Sequence, residues 1–368
     1  MSRFGFLVHP LGMRDVVRHL PNVAGKRPPL VEKVLEWTPS HHAAEIHGVR
    51  SRQTGQELKG DFVTVPLFPQ QIVGLDRNFV LGRILDACRI AEERGARIIG
   101  LGGYTSVVGS AGQVVADTID TAVTSGNSYT VATALDGAAA AAEALDIDLS
   151  RVAVTVVGAT GSIGSVCSRV LARRSGGRLT LVARSSTRLQ ALGETIRRES
   201  PRAAVALDTD VEAGVRDADL IVSCTTSGGG ILRPEYLKPG CVVCDVAVPH
   251  DVCREVAQLR PDVLVIEGGV VEAPGDARFN FDFGFPEGIC LACMAETMTL
   301  AMEGRFEDFS IGRGLEVEQV EEIRRLATRH GFRLAGFRAF DEPITTDRIE
   351  EVRSLARDRR RGLRALSS

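Results

Sequence analysis

The stretch VAVTVVGATGSIGSVCSRVLARR, residues 152–174, decides the fold. Residues 152–157 are apolar and mostly β-branched, the composition of a parallel strand covered on both faces. Gly158, Gly161 and Gly164 follow at once and permit a tight turn, close approach of a pyrophosphate to the backbone, and close packing of the next helix on the strand. That helix starts at about Ser162, with Ile163 in its first turn, and aims its first N–H groups and positive dipole end at the loop. Thr160 and Ser162 add hydroxyls there. A glycine triplet alone also occurs in ordinary turns. Here strand, loop and helix come in the order a dinucleotide site requires.

Residues 179–183 read as the next strand of a βαβ unit, and it ends at Arg184, about twenty residues past Gly164. An NAD site carries an acid there for the ribose 2′-OH. Arg184, Ser185 and Arg188 suit a 2′-phosphate instead, which indicates NADPH as the cofactor. Further strand-like runs start near residue 203 and occupy 220–223, 242–246 and 263–266, so a central, doubly wound parallel-sheet Rossmann domain is expected. Two loops at the carboxyl ends of its strands, Cys224-Thr225-Thr226-Ser227 and residues 245–249, are expected on the nicotinamide side, with Thr225 a candidate cofactor contact.

Working outward, the 368 residues are long enough for more than one core. The expected division is an α/β N-terminal substrate domain over 1–148, the Rossmann domain over 149–275, and a helical C-terminal segment over 276–368. Composition is that of an ordinary globular protein, 44% hydrophobic and 25% charged with net charge -3, and gives no reason to expect a nucleic-acid partner. The N-terminal apolar run is too short for a signal peptide or a membrane span, so a cytoplasmic protein is expected.

In the first part, residues 4–8 form a strand ending at His9, and residues 43–65 form a β region turning near Gly55. Residues 72–94 form one amphipathic helix, with Val80, Ile84, Ala87, Cys88 and Ala91 on a single face. A strand over 97–101 leads into GGYTSVVGSAG, and the polar cluster Thr124-Ser125-Gly126-Asn127-Ser128-Tyr129-Thr130 precedes an alanine-rich helix that Asn127 or Ser128 could cap.

Eight cysteines in a chain expected to be cytoplasmic read first as small buried hydrophobes. The Cys241/Cys244 CxxC lies in what looks like a core strand, so no metal site is assigned. Residues 286–304 read as an apolar helix between a proline and a glycine, placing Cys290, Cys293 and Thr297 near one face, with Glu296 one turn past Cys293. On spacing alone Cys293 is core; a helix dipole would lower its pKa and make it a better nucleophile. The tail RDRRRG reads as a solvated end, with an acidic carrier protein or anionic lipid as alternative contacts.

FGFLVHPLGMRD, LGGYTSVVG, TSGNSYT, GATGSIGSVCSRVL, LVARSSTRL, the LACMAE segment and EGRFEDFSIGR occur in that order, and together the chain resembles the long-chain acyl-(acyl carrier protein) reductases best known from cyanobacteria. The resemblance covers about residues 3–335. It implies NADPH-dependent reduction of a fatty acyl thioester, carried by acyl carrier protein or coenzyme A, to an aldehyde. It further implies an acyl-enzyme on Cys293, where the cysteine of the family's similar segment falls. Ser125 and Asn127, with backbone N–H groups, are then the candidate oxyanion donors. Where cyanobacterial members carry a Thr-His pair, this chain has Ser128-Tyr129. A shikimate- or glutamyl-tRNA-reductase-type dehydrogenase of a polar substrate, and a non-catalytic NADP(H)-binding regulator, are the alternatives.

Overall fold

A computed structural model of the chain describes residues 2–225, 229–247, 250–312, 314–340 and 342–366, with side chains up to residue 359. Thr226, Ser227 and Pro249 of the expected nicotinamide-side loops lie outside the described residues.

The chain opens with β1 (Arg3–Val8), α1 (Met13–His19), α2 (Pro28–Trp37), β2 (His41–Arg50), β3 (Glu57–Thr64), α3 (Pro69–Gly74), α4 (Arg77–Glu93) and β4 (Ile98–Leu101). Two single helical turns, α5 (Val108–Ala111) and α6 (Gln113–Ala116), lead to β5 (Ala122–Thr124) and the long α7 (Asn127–Ala144). Next come β6 (Val154–Val157), α8 (Ser162–Arg174), β7 (Arg178–Val182), α9 (Ser186–Glu199), β8 (Ala204–Asp208), α10 (Val211–Val215), β9 (Leu220–Ser223), β10 (Val242–Asp245), α11 (Arg254–Leu259) and β11 (Leu264–Glu267). The chain then forms β12 (Val270–Glu272), β13 (Gly275–Arg278), β14 (Ile289–Leu291), α12 (Ala292–Glu303), α13 (Val317–His330), β15 (Arg333–Leu334) and, near its end, α14 (Thr346–Leu366).

Residues 1–130 and 270–335 make one compact unit, and residues 131–269 and 336–368 make the other. The expected separate segment 276–368 is therefore divided between them. Its first part returns because β13 pairs with the edge strand β2 and α12 packs on β1 and β4. Its last part, α14, buries Val352 and Ala356 and places Arg353 on the carbonyl of Ala144 and Arg357 on Asp146 at the end of α7. Cations at a helix C-terminus meet its negative dipole end, so residues 352–356 pack as a helix, whereas Arg357, Asp358 and Arg359 of the RDRRRG run are exposed, as expected of a solvated end.

The first unit holds a six-stranded sheet, β13-β2-β3-β1-β4-β5, in which β3, β1, β4 and β5 run parallel. The five α4 residues expected on one face are all buried against Leu7, Val63 and Ile99. The helix expected over 72–94 is two helices, because the Asp76 carboxylate accepts the Phe79 N–H at 2.9 Å and starts α4 afresh. On the opposite face Phe6 stands in register with Phe62 and Gly100, and α12 crosses at the glycine. A Cβ at Gly100 would lie 2.2 Å from Thr297 Oγ1.

The second unit holds six parallel strands ordered β11-β10-β9-β6-β7-β8, the doubly wound Rossmann arrangement. All six expected strands are present. The order reverses between β6 and β9, so the loops after those two strands flank the crevice where such sheets bind ligands.

Candidate functional site

In the nucleotide unit, the backbone dictates the glycines. Gly158 has φ +79°, and a Cβ there would lie 2.8 Å from the carbonyl oxygen of Cys224; a Cβ on Gly164 would lie 2.2 Å from the carbonyl oxygen of Gly158. Gly161 has ordinary φ and is the N-cap of α8, with Ser162 and Ile163 half-buried in the first turn. A loop held this tightly at the start of a 13-residue helix fits a pyrophosphate.

Beside it, a pocket of about 280 Å³ between α8 and α9 is lined by Thr160, Ser165, Arg169, Arg188 and Thr195. Arg184 and Arg188 are exposed and form no ion pair among the described residues. Ser185 has a structural duty as well, since its hydroxyl accepts the Arg188 N–H and caps α9. Thr225 is anchored by Asp251, which is fully buried and accepts its N–H at 3.0 Å and its hydroxyl at 2.5 Å. Burial also raises Asp245, at the end of β10, to about 6.

In the first unit, the chemistry gathers at the carboxyl ends of β1, β4 and β5. Cys293 is the second residue of α12, not one or two turns into a longer helix, because residues 289–291 pair antiparallel with β12. Cys290 thus leaves the helix face and is buried in β14 opposite Val271. Gly126, at φ +75°, packs so closely on Cys293 that a Cβ would lie 2.2 Å from both its Cα and its Cβ.

The two segments are pinned together by Glu296, which is fully buried. One carboxylate oxygen accepts the Thr124 hydroxyl at 2.5 Å and the other accepts the Tyr129 N–H at 2.7 Å, so a side chain from α12 caps the start of α7. Burial raises the pKa of Glu296 while these hydrogen bonds hold it back. Ser128 does not cap α7. Its N–H donates to Ser310 Oγ at 3.2 Å, and the Ser310 hydroxyl donates to Ser128 Oγ at 2.7 Å.

Of the two expected oxyanion donors, Ser125 gives its proton to the Ser310 carbonyl at 2.5 Å. Asn127 is half-buried at the first position of α7, with its side-chain amide unengaged among the described residues. Thr124, Glu296 and Ser310 together form a polar clasp missed by sequence reasoning, because its members are separated by up to 186 residues. His9 was also missed. It is held by burial to about 4, and its neutral ring accepts the Tyr104 N–H at 2.9 Å, fixing the loop after β4.

Cys293 is half-buried, and its surroundings oppose the expected activation by the helix dipole: desolvation pushes the thiol up to about 12, the N–H of Met294 opposes this and the Glu296 charge adds to it. Desolvation moves a buried group by several units, whereas a helix terminus is worth about 0.3–1 kcal/mol, under one unit. The rate of Cys293 alkylation by iodoacetamide should therefore climb about tenfold per pH unit from neutrality to about pH 10. Mass spectrometry of the Cys293 peptide reads this directly, and a plateau near pH 7 would contradict it.

The chain is similar to several known proteins. Residues 139–266 match the family model for shikimate / quinate 5-dehydrogenase. The chain is 32% identical over 293 residues to the long-chain acyl-[acyl-carrier-protein] reductase of Synechococcus elongatus, covering 76% of this chain and 83% of that protein. It is 31% identical over 361 residues to the aminotransferase PigE of Serratia sp., covering 94% of this chain but only 41% of that longer protein. A shorter match, 29% over 123 residues, is to the glutamyl-tRNA reductase of Thermobifida fusca, covering 31% of this chain and 25% of that protein. Among the described residues no helix is long and apolar enough to cross a membrane. With its doubly wound sheet, its glycine loop and these relatives, the chain belongs to the family of the Synechococcus long-chain acyl-[acyl-carrier-protein] reductase, and it is an oxidoreductase of the dehydrogenase/reductase type that uses a nicotinamide cofactor.

Proposed function

We propose that the protein reduces a long-chain acyl thioester, carried by acyl carrier protein or coenzyme A, to an aldehyde with NADPH through an acyl-enzyme on Cys293. The observation that carries this reading is Cys293 in the first turn of α12, clasped against Gly126, in a chain aligned with 83% of an acyl reductase. The shikimate/quinate match stays within residues 139–266, so it speaks for nucleotide binding and leaves the substrate to the other unit.

The Cys293 sulfur forms a bond to the thioester carbonyl carbon, and the carbon–sulfur bond to the carrier breaks, the carrier leaving as a thiol with the cysteine's proton. The side chain of Asn127 and first-turn N–H groups are the donors for the oxyanion, each typically worth about 3 kcal/mol. The nicotinamide, when bound, supplies the hydride that brings the acyl carbon to the aldehyde level. Cys293 then departs as the leaving group. Desolvation disfavours the free Cys293 thiolate, so loss of the proton accompanies attack on the carbonyl.

The test is incubation with a radiolabelled acyl thioester without cofactor, then addition of NADPH. Label on the protein, followed by aldehyde, is expected; neither label nor aldehyde with any acyl donor overturns the reading. For the cofactor, Arg184→Ala should weaken NADPH binding about tenfold or more, the loss of one charge-assisted contact, and leave NADH binding nearly unchanged by fluorescence titration. Equal losses for both would remove Arg184 from the 2′-phosphate.

A further inference from the structure

Helix α2 is amphipathic toward the core and apolar on a second side. Val31 and Leu35 are buried against Val16 and Phe68. Leu30, Val34 and Trp37, spaced four and then three residues apart, form another stripe and are 54%, 50% and 73% exposed. Three large apolar side chains in one row, the tryptophan the most open, are not what a solvated helix face carries.

The unpaired charge beside the stripe is positive. Residues 16–31 contain Arg18, Lys26 and Arg27 and no acid, and of these Arg18 is paired with Asp15 at 3.0 Å and with Asp282 at 3.4 Å. Lys26 and Arg27 are exposed and form no ion pair among the described residues, and Lys33 stands 5.9 Å from the centre of the Trp37 ring. At roughly 100° per residue, Glu32 and Glu36 turn away from the stripe. There Glu32 accepts from Gln70, and Glu36 accepts from Lys33 at 2.8 Å.

We propose that α2 and the basic stretch before it dock the protein onto an anionic lipid bilayer, with Leu30, Val34 and Trp37 entering the headgroup boundary and Lys26 and Arg27 meeting lipid phosphates. A helix lying in the interface needs this pairing: apolar side chains including tryptophan on the buried side, and cations at its margin. An acidic protein would satisfy the cations but gives no reason for the exposed apolar row of Leu30, Val34 and Trp37. The inference is independent of the reaction assigned to Cys293, and its test uses no activity.

Trp37 is the only tryptophan, so its fluorescence reports on the stripe itself. Vesicles of equal parts phosphatidylcholine and phosphatidylglycerol should shift its emission to the blue and shield it from acrylamide. Pure phosphatidylcholine should do neither, and added salt should weaken the effect. Lys26→Ala with Arg27→Ala should lower partitioning roughly 30-fold, and Leu30→Asp should abolish the shift. Both changes fall on exposed positions, so an unchanged Tm verifies the fold of each variant. No shift with anionic vesicles, a shift of equal size with neutral ones, or a shift given only by an acidic carrier protein overturns the proposal.

Discussion

Cys293→Ser should leave no acyl label on the protein and lower kcat by about 10³-fold or more, because the nucleophile is lost while the surrounding clasp is kept. A hydroxyl is far harder to ionise than a thiol, and this site already disfavours the anion: burial holds even the thiol near 12. The informative partner variant is Cys290→Ser. That cysteine is fully buried in β14, so a serine there should cost roughly 1–3 kcal/mol of stability through a buried hydroxyl, yet keep labelling intact. Tm and label measured on both variants separate nucleophile from core, and label surviving in Cys293→Ser would sink the proposed chemistry.

Gly126→Ala should be among the damaging small substitutions in the first unit, and it is the one that strikes Cys293. The residue sits at φ +75°, which costs a residue bearing a Cβ about 1–2 kcal/mol. The new Cβ would also meet Cys293 Cα and Cβ at 2.2 Å, and neither is the far end of a flexible side chain. Overpacking of this kind adds about 1–3 kcal/mol. A total near 3 kcal/mol corresponds to a fall of roughly 6–12 °C in Tm for a unit of this size. Relief comes only by moving α12, so the labelling rate should fall as well. A Tm within about 2 °C of wild type would mean that Gly126 does not abut Cys293 in solution.

Much of the second unit was legible in the sequence, because its signals are local. The apolar run 154–157, the turn at Gly158 and the helix behind it are contiguous, and each following strand is a short apolar run. The face of α4 was equally legible, since Val80, Ile84, Ala87, Cys88 and Ala91 follow helical spacing. The break before it was not. Gly74 and Leu75 look compatible with one long helix, and only the Asp76 side chain accepting from Phe79 shows that a second one begins.

The same contrast governs Cys293. Its apolar neighbours 286–304 suggested one helix, but apolar residues 289–291 serve equally well as a strand, and pairing with β12 selects that outcome. Selection by a partner strand is invisible to periodicity in so short a run.

By itself, then, the sequence determined the glycine loop, the six parallel strands, and a cation where an NAD site would carry an acid, because those features depend on residues adjacent in the chain. The tertiary structure alone decided where the C-terminal part belongs, that Cys293 opens its helix, and that Glu296 caps α7. It also decided the surroundings that disfavour the Cys293 thiolate. Each depends on pairing with a strand elsewhere in the chain, on groups more than a hundred residues apart, or on exclusion of water, and none of these is encoded by local spacing.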